Sequence, residues 1–532
     1  MTTNRFTLWL TLYFLLVLNI PLTLQLYKII TNRESELSVG FLISLPFFFG
    51  ALFYFLFSFI TVRWLLKPLS IGLVLVSALV TYAMYSYGTL FDYSMIQNVF
   101  ETNYGEASSY LSLSATGSFV LLGIVPAFVI LRTRVIYKPI LRECLYKGGA
   151  MLASLAVIGV IAALYFKDYS AFGRNNSYLN KMIIPVEYIA ATIKYVNRNV
   201  LAQPLEYQTL GNDARLLASS KPRLTVLILG ETARAQSFQL NGYARATNPS
   251  TSQLGVVAVQ NVSTCGTATA LSVPCMFARM SKDNFDGRAV RYQDQLMDVL
   301  AHAQIDPLWL DTDGGCKGVC DRIETWNYTQ DTDSEFCTNE FCDDHILLSE
   351  LDRAIASRST GDIVITLHTN GSHGPTYFER YDDKFRRFVP DCQRADIQNC
   401  SSDEIINTYD NTILHTDNLI AETIKKVRDQ YPQYASRVVY ISDHGESLGE
   451  NGVYLHGMPY AIAPDEQTHV PWLLWFSDAA QRELAIDVNC LKTRAEQGGY
   501  SHDNLFDTML SITGVETSIY QPDLDLLSGC RG

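Results

Sequence analysis

The stretch VVYISDHGESLGENGVYLHG, residues 438–457, decides the fold. It opens as a short β-branched apolar run with the composition of a buried strand and turns abruptly into Asp443-His444-Gly445-Glu446. A strand apolar on both faces belongs in a parallel sheet covered by helices. In such sheets ligands gather beyond the carboxyl ends of the strands, so the polar residues closing this run are candidates for a site.

Moving outward, the same pattern repeats. LTVLIL (224–229) is followed by Gly230-Glu231-Thr232, and IVITL (363–367) by His368 and then His373. Further apolar runs lie at Val256–Val259, Leu308–Leu310 and Val470–Phe476, with helical patterns around 290–303, 343–358, 403–429 and 502–513. This alternation predicts a doubly wound α/β domain with a mostly parallel sheet. A single strand-end His or Asp is ordinarily a satisfied structural group. Three strand ends bringing carboxylates and imidazoles to one edge point to a metal ion, because burying such groups together without one is costly. Donors of these types, without thiolates, suit Zn²⁺, and Mn²⁺ is also compatible. His373 and His456, each in a Gly-containing loop, add two imidazoles.

The nucleophile is sought among hydroxyls. STCGTATA (263–270) follows a strand and is expected to open a helix, where free amides and the helix dipole stabilise a phosphoryl group. Thr267 and Thr269 are both candidates, each also readable as a plain N-cap. Coordination to zinc would lower the pKa of either hydroxyl and activate it.

Composition changes near residue 170. Before it lie five apolar runs, about 8–30, 39–62, 66–88, 113–131 and 150–166, each able to cross a ~30 Å hydrocarbon core. The first lacks a small-residue cleavage site and more spans follow, so it is read as a retained anchor. Arg5, Arg63, Lys67, Arg132, Arg134, Lys138, Arg142 and Lys147 occupy alternate loops. The intervening loops carry Glu34 and Glu36 beside Arg33, then Asp92, Glu101 and Glu106. The positive-inside rule makes the basic loops cytoplasmic, and five spans then export everything after residue 166. The expected organisation is a transmembrane domain over 1–166, an interfacial tether over 167–210 and an exported catalytic domain over 211–532. Within the tether, Val186, Ile189, Ile193, Val196 and Val200 form one apolar helical stripe, suited to the membrane interface or to the soluble domain.

Ten of the eleven cysteines fall after residue 260. Neighbour pairing, Cys265/Cys275, Cys316/Cys320, Cys337/Cys342, Cys392/Cys400 and Cys490/Cys530, fits disulfides of an oxidising compartment better than thiolate–metal ligation. Cys144, the exception, lies in a loop assigned to the cytoplasm. The formal charge of −13 and the lack of a basic stripe with interleaved aromatics argue against a nucleic-acid partner.

GETAR (230–234), CGTATALSVPCMF (265–277), GCKGVC (315–320), SHGP (372–375), SDHGESLGENGVYLHG (442–457) and QTHVP (467–471) together resemble the lipid A phosphoethanolamine transferases, including the mobile colistin-resistance enzymes. The resemblance implies an alkaline-phosphatase/sulfatase-like domain beyond a five-helix membrane domain. It makes Thr269 the nucleophile and a zinc ligand with Glu231, Asp443 and His444. It places Lys317, His373 and His456 at the phosphoethanolamine or a second zinc, with His368 and Glu446 in support. Asp313 stands where some relatives carry Asn. The implied reaction moves phosphoethanolamine from phosphatidylethanolamine to a lipid A phosphate in a multi-pass protein of the bacterial inner membrane, acting as a monomer. A transferase acting on core sugar, a phosphoglycerol transferase, and a zinc-binding sensor without turnover remain the alternatives.

Overall fold

The computed structural model describes residues 1–531 apart from 32–37, 103, 329–333, 338–341 and 359–360. The acidic loop containing Arg33, Glu34 and Glu36, and the side chain of Glu106, lie outside the described residues. Packing divides the chain into two compact units, 1–96 with 111–194, and 97–110 with 195–532.

Among the described residues of the first unit, four helices are long and apolar enough to cross a membrane: Val39–Ile60, Leu66–Tyr87, Leu113–Arg132 and Ile140–Ser170. Thr3–Leu18 and Ile20–Thr31, bent by 56°, make a fifth if the pair counts as one span. The run expected to be continuous over 8–30 therefore breaks at Asn19. The side chain of Asn19 donates to the Ile184 carbonyl (2.7 Å) and accepts from the Ile184 amide (3.0 Å). Pro21 then removes a backbone donor from the next turn. The last expected span is the middle of a longer helix, Ile140–Asn175, bent at Tyr165.

Residues 186–200 are helical as expected, α-helix over Val186–Tyr195 and a π turn over Val196–Val200, but the buried face is different. Ile193 and Val200 are exposed, whereas Tyr188 and Ala191 are buried. The Tyr188 hydroxyl lies 3.1 Å from Ser77 Oγ, so this helix packs on the span Leu66–Tyr87. An apolar stripe marks preference for a nonpolar neighbour without naming which neighbour, and here the amphipathic tyrosine supplies the contact.

The second unit is built on seven strands: β1 Arg223–Gly230, β2 Val257–Ser263, β3 Asp306–Asp311, β4 Glu324–Asn327, β5 Ile363–His368, β6 Ala435–Ser442 and β7 His469–Phe476. Their order is β2-β7-β6-β1-β5-β3-β4. The pairs β6/β1, β1/β5, β5/β3 and β3/β4 are parallel, and β7 runs antiparallel to both neighbours. Every residue of β1, β5 and β6 is buried, which explains their unbroken apolar runs. Helices α1 Thr269–Met276, α2 Leu296–His302, α3 His345–Ser357, α4 Ser402–Gln430 and α5 Leu505–Thr513 surround the sheet. Met276, Leu300 and Met509 join Leu227, Val439 and Trp472 in one core, while α3 packs on β3 and β5 and α4 on β6. The five disulfides pair as neighbours, and Cys144 is an exposed thiol.

Candidate active site

Strand register builds the site. In the parallel pairing of β1 with β6, Gly230 sits opposite Ser442, so the next residues, Glu231 and Asp443, emerge side by side. In β3 and β5, Asp311 sits opposite His368. Thr269 arrives from the other edge. After β2 the chain makes a loop closed by Cys265–Cys275, passes the extended residue Ala268, and opens α1 with Thr269.

Thr269 Oγ1 stands 3.0 Å from Glu231 Oε2 and 3.3 Å from His444 Nε2. His444 Nε2 is 3.3 Å from Asp443 Oδ2 and 3.5 Å from Glu231 Oε1. Glu231, Asp443 and His444 are fully buried, with donor atoms within 4.8 Å of one another. His444 Nδ1 donates to the Gly445 carbonyl at 2.9 Å, which turns the lone pair of Nε2 toward the carboxylates. Glu231 Oε1 and Asp443 Oδ2 are buried without hydrogen-bond partners. Burial, with the charges of Asp443 and Asp313 added, holds the Glu231 carboxyl well above the usual range. A divalent cation would satisfy both orphaned oxygens and relieve this repulsion, so the donor set fits a metal. The hydroxyl of Thr267 is committed elsewhere, donating to the Met458 carbonyl at 2.6 Å.

The other expected residues surround this group. Glu446 is buried, and burial pushes its carboxyl up to about 8; its Oε2 lies 3.3 Å from His456 Nδ1. The His456 ring packs 4.5 Å from that of His444 and 5.3 Å from that of His373. His368 donates through Nδ1 to Asp311 Oδ2 at 2.9 Å and directs Nε2 toward Asp313 Oδ2, 3.7 Å away. Lys317, half-buried in the loop closed by Cys316–Cys320, lies within electrostatic reach of Asp313.

Several supporting residues carry no signal in the sequence. Asp344 accepts from Thr312 Oγ1 and from the amides of Asn370 and Gly371. This seats Gly371 against Glu231 so closely that a Cβ there would come within 2.6 Å of the Glu231 carbonyl, at a φ of +52° that also favours glycine. His502 is buried between the Cys265 amide (3.1 Å to Nδ1) and the Ser442 carbonyl (3.0 Å from Nε2), tying the threonine loop to the end of β6. These contacts require the neutral ring, and burial lowers the His502 pKa to about 4. A histidine whose folded pKa is depressed stabilises fully above its unfolded value and loses that stability as pH falls toward the folded one. Acidification from pH 6.5 to 4 is therefore expected to remove roughly 3 kcal/mol through His502, at about 1.4 kcal/mol per unit. Urea unfolding of the wild type and of His502→Gln across this range checks it. The variant should be less stable at pH 7 and should lose less on acidification; equal pH dependence in both chains would exclude the assignment.

Fold and site define a sulfatase-like α/β domain joined to membrane helices, and the sulfatase family model matches residues 223–515. The model described as phosphoethanolamine transferase EptA/EptB matches residues 49–200. The chain is 42% identical over 475 residues to phosphoethanolamine transferase EptA of Escherichia coli K12, covering 88% of this chain and 86% of the relative. It is 35% identical to phosphatidylethanolamine transferase Mcr-1 of Escherichia coli, covering 85% of each. The integral membrane lipooligosaccharide phosphoethanolamine transferase A of Neisseria meningitidis superposes with a TM-score of 0.94 at 35% identity, covering 99% of this chain and 98% of that one. The chain belongs to the lipid A phosphoethanolamine transferase family, and it is a phosphoethanolamine-transferring enzyme.

Proposed function

We propose that this enzyme moves phosphoethanolamine from phosphatidylethanolamine to a phosphate of lipid A, using Thr269 as nucleophile and Zn²⁺ held by Glu231, Asp443, His444 and Thr269. The observation that carries the reading is the position of Thr269 Oγ1, at the start of α1 and between Glu231 Oε2 and His444 Nε2. When bound, zinc lowers the pKa of the threonine hydroxyl and neutralises charge on the phosphoryl oxygens.

Thr269 Oγ attacks the donor phosphorus as the bond to the glycerol oxygen breaks, and diacylglycerol leaves. The threonine proton ends on the departing glycerol oxygen, so diacylglycerol leaves as the alcohol. Lys317 neutralises the equatorial oxygens, where phosphoryl-transfer enzymes do most of their work. His373 and His456 meet the phosphoryl group, the latter oriented by Glu446, and His368 supports the site from β5. In the second half a lipid A phosphate oxygen attacks the phosphorus and the bond to Thr269 breaks.

The catalytic domain is assigned to the periplasmic side of the bacterial inner membrane, consistent with its five disulfides and with the basic loops on the opposite side. Tethering confines the search for two lipid substrates to the membrane surface, and the chain works as a monomer without nucleic acid. Added phosphoethanolamine sets an ammonium beside an anionic phosphate and weakens attraction for cationic peptides. Expression in a susceptible Gram-negative host is expected to add phosphoethanolamine to lipid A by mass spectrometry and to raise polymyxin tolerance. Unmodified lipid A, with the group on core sugar, would overturn the acceptor assignment.

A further inference from the structure

A second cluster of metal-ligand chemistry lies apart from the strand-end group. Asp343 and His345 stand at the start of α3, and His415 lies in the middle of α4. His345 Nδ1 is 2.9 Å from Asp343 Oδ1 and 3.0 Å from His415 Nε2, and His415 Nε2 is 3.0 Å from Asp343 Oδ2. A tetrahedral zinc site with bonds near ~2.0–2.1 Å spaces its donors about 3.3 Å apart, so the three separations fall within a few tenths of an ångström of that spacing.

Ring orientation supplies an independent indication. His345 Nε2 lies 3.0 Å from Asn418 Oδ1, an atom that only accepts, so Nε2 carries the hydrogen. Nδ1 of His345 and Nε2 of His415 both face the Asp343 carboxylate, at 2.9 and 3.0 Å, so the metal-free rings share their protons with it, and a bound cation would take the place of those protons at the two nitrogens. Holding a histidine's second nitrogen by an outer partner is how proteins fix the ligating tautomer. A cavity of about 380 Å³, lined by Glu335, Phe336, Asp343, His345 and Tyr381, opens beside the cluster and leaves room for a water ligand.

We propose that Asp343, His345 and His415 bind a zinc-type divalent transition-metal ion, with water as fourth ligand, at a site separate from the one that contains Thr269. Two imidazoles and one carboxylate with an open position suit zinc or a neighbouring first-row ion. Such an ion cross-links α3 to α4. Asp344, adjacent to one ligand, holds the Asn370 and Gly371 amides beside Glu231. On α4, Tyr409 donates to the Thr232 carbonyl and Thr412 to Ser372 Oγ, about two turns and one turn before His415 respectively. The ion therefore braces both elements that support the strand-end loops without touching the reacting atoms.

The test is metal counting on the full chain in detergent, stripped with a chelator, reloaded with Zn²⁺ and desalted. His345→Ala with His415→Ala should hold one equivalent fewer than wild type and retain activity within about twofold at saturating zinc. Asp443→Ala with His444→Ala should lose the catalytic metal yet keep one equivalent. Co²⁺ loading of that second variant reads the cluster without altering it: d–d absorption should appear, and further replacement of His345 should remove it. The proposal is overturned if Asp443→Ala with His444→Ala binds no metal and shows no cobalt bands, or if replacing His345 and His415 leaves the zinc count unchanged. Either result would make the cluster an ion pair between Asp343 and a protonated histidine.

Discussion

Thr269→Ala is expected to lower transfer by on the order of 10³-fold or more while leaving the chain folded, inserted and able to bind zinc at the remaining donors. Thr269 is the first residue of α1 and the preceding cap is already alanine, so the helix loses nothing it depends on. What disappears is the one hydroxyl between Glu231 and His444. Thr267→Ala is expected to keep measurable activity, because its hydroxyl is spent on the Met458 carbonyl. Turnover of a labelled phosphatidylethanolamine by the two purified variants checks the pair. Comparable loss in both would mean that the loop contributes through its shape rather than through Thr269.

The second large effect concerns the donors. Asp443→Ala and His444→Ala are each expected to abolish detectable transfer and to lower zinc at the strand-end site, and chelation should inactivate the wild type reversibly. The metal dependence of the stability change is more diagnostic than the loss of activity. Without metal, Glu231 Oε1 and Asp443 Oδ2 are buried oxygens with no partner while Asp443 Oδ1 holds two backbone amides, so these effects offset and removing the Asp443 carboxylate should change the stripped protein by less than about 1 kcal/mol. With metal, the same substitution removes a ligand and should destabilise. Thermal unfolding of wild type and Asp443→Ala, each with chelator and with zinc, should show a clear loss in the variant only with zinc. A substitution that destabilises equally in both conditions would mean that Asp443 is a structural acceptor for the Thr232 and His444 amides, which it also contacts at 3.2 and 2.7 Å.

Much of this was legible in the sequence because the parallel sheet writes itself as apolar runs. Six of the seven strands announce themselves in that way; β4, residues Glu324–Asn327, does not, because it is a short edge strand with three residues exposed and no apolar run to read. The strand-end residues were visible because register follows from parallel pairing, and the disulfides because four of the five close short loops. His502 was invisible: its partners, Cys265 and Ser442, are remote in sequence and the contacts are to backbone atoms, which leave no residue-type signature. Asn19 failed to register for the same reason, since its hydrogen bonds run to the backbone of Ile184. Residues 186–200 gave the helix but not the face, because Tyr188 buries its ring against a span whose identity no local pattern carries.

The measurement that bears most directly on the central claim is the site of covalent attachment. The full chain, loaded with zinc and given phosphatidylethanolamine without acceptor, should accumulate phosphoethanolamine on protein, and peptide mapping should place it on Thr269 within the Cys265–Cys275 loop. Adding lipid A should discharge it, and Thr269→Ala should never acquire it. Label on any other residue, or transfer to lipid A by Thr269→Ala at the wild-type rate, would contradict the account.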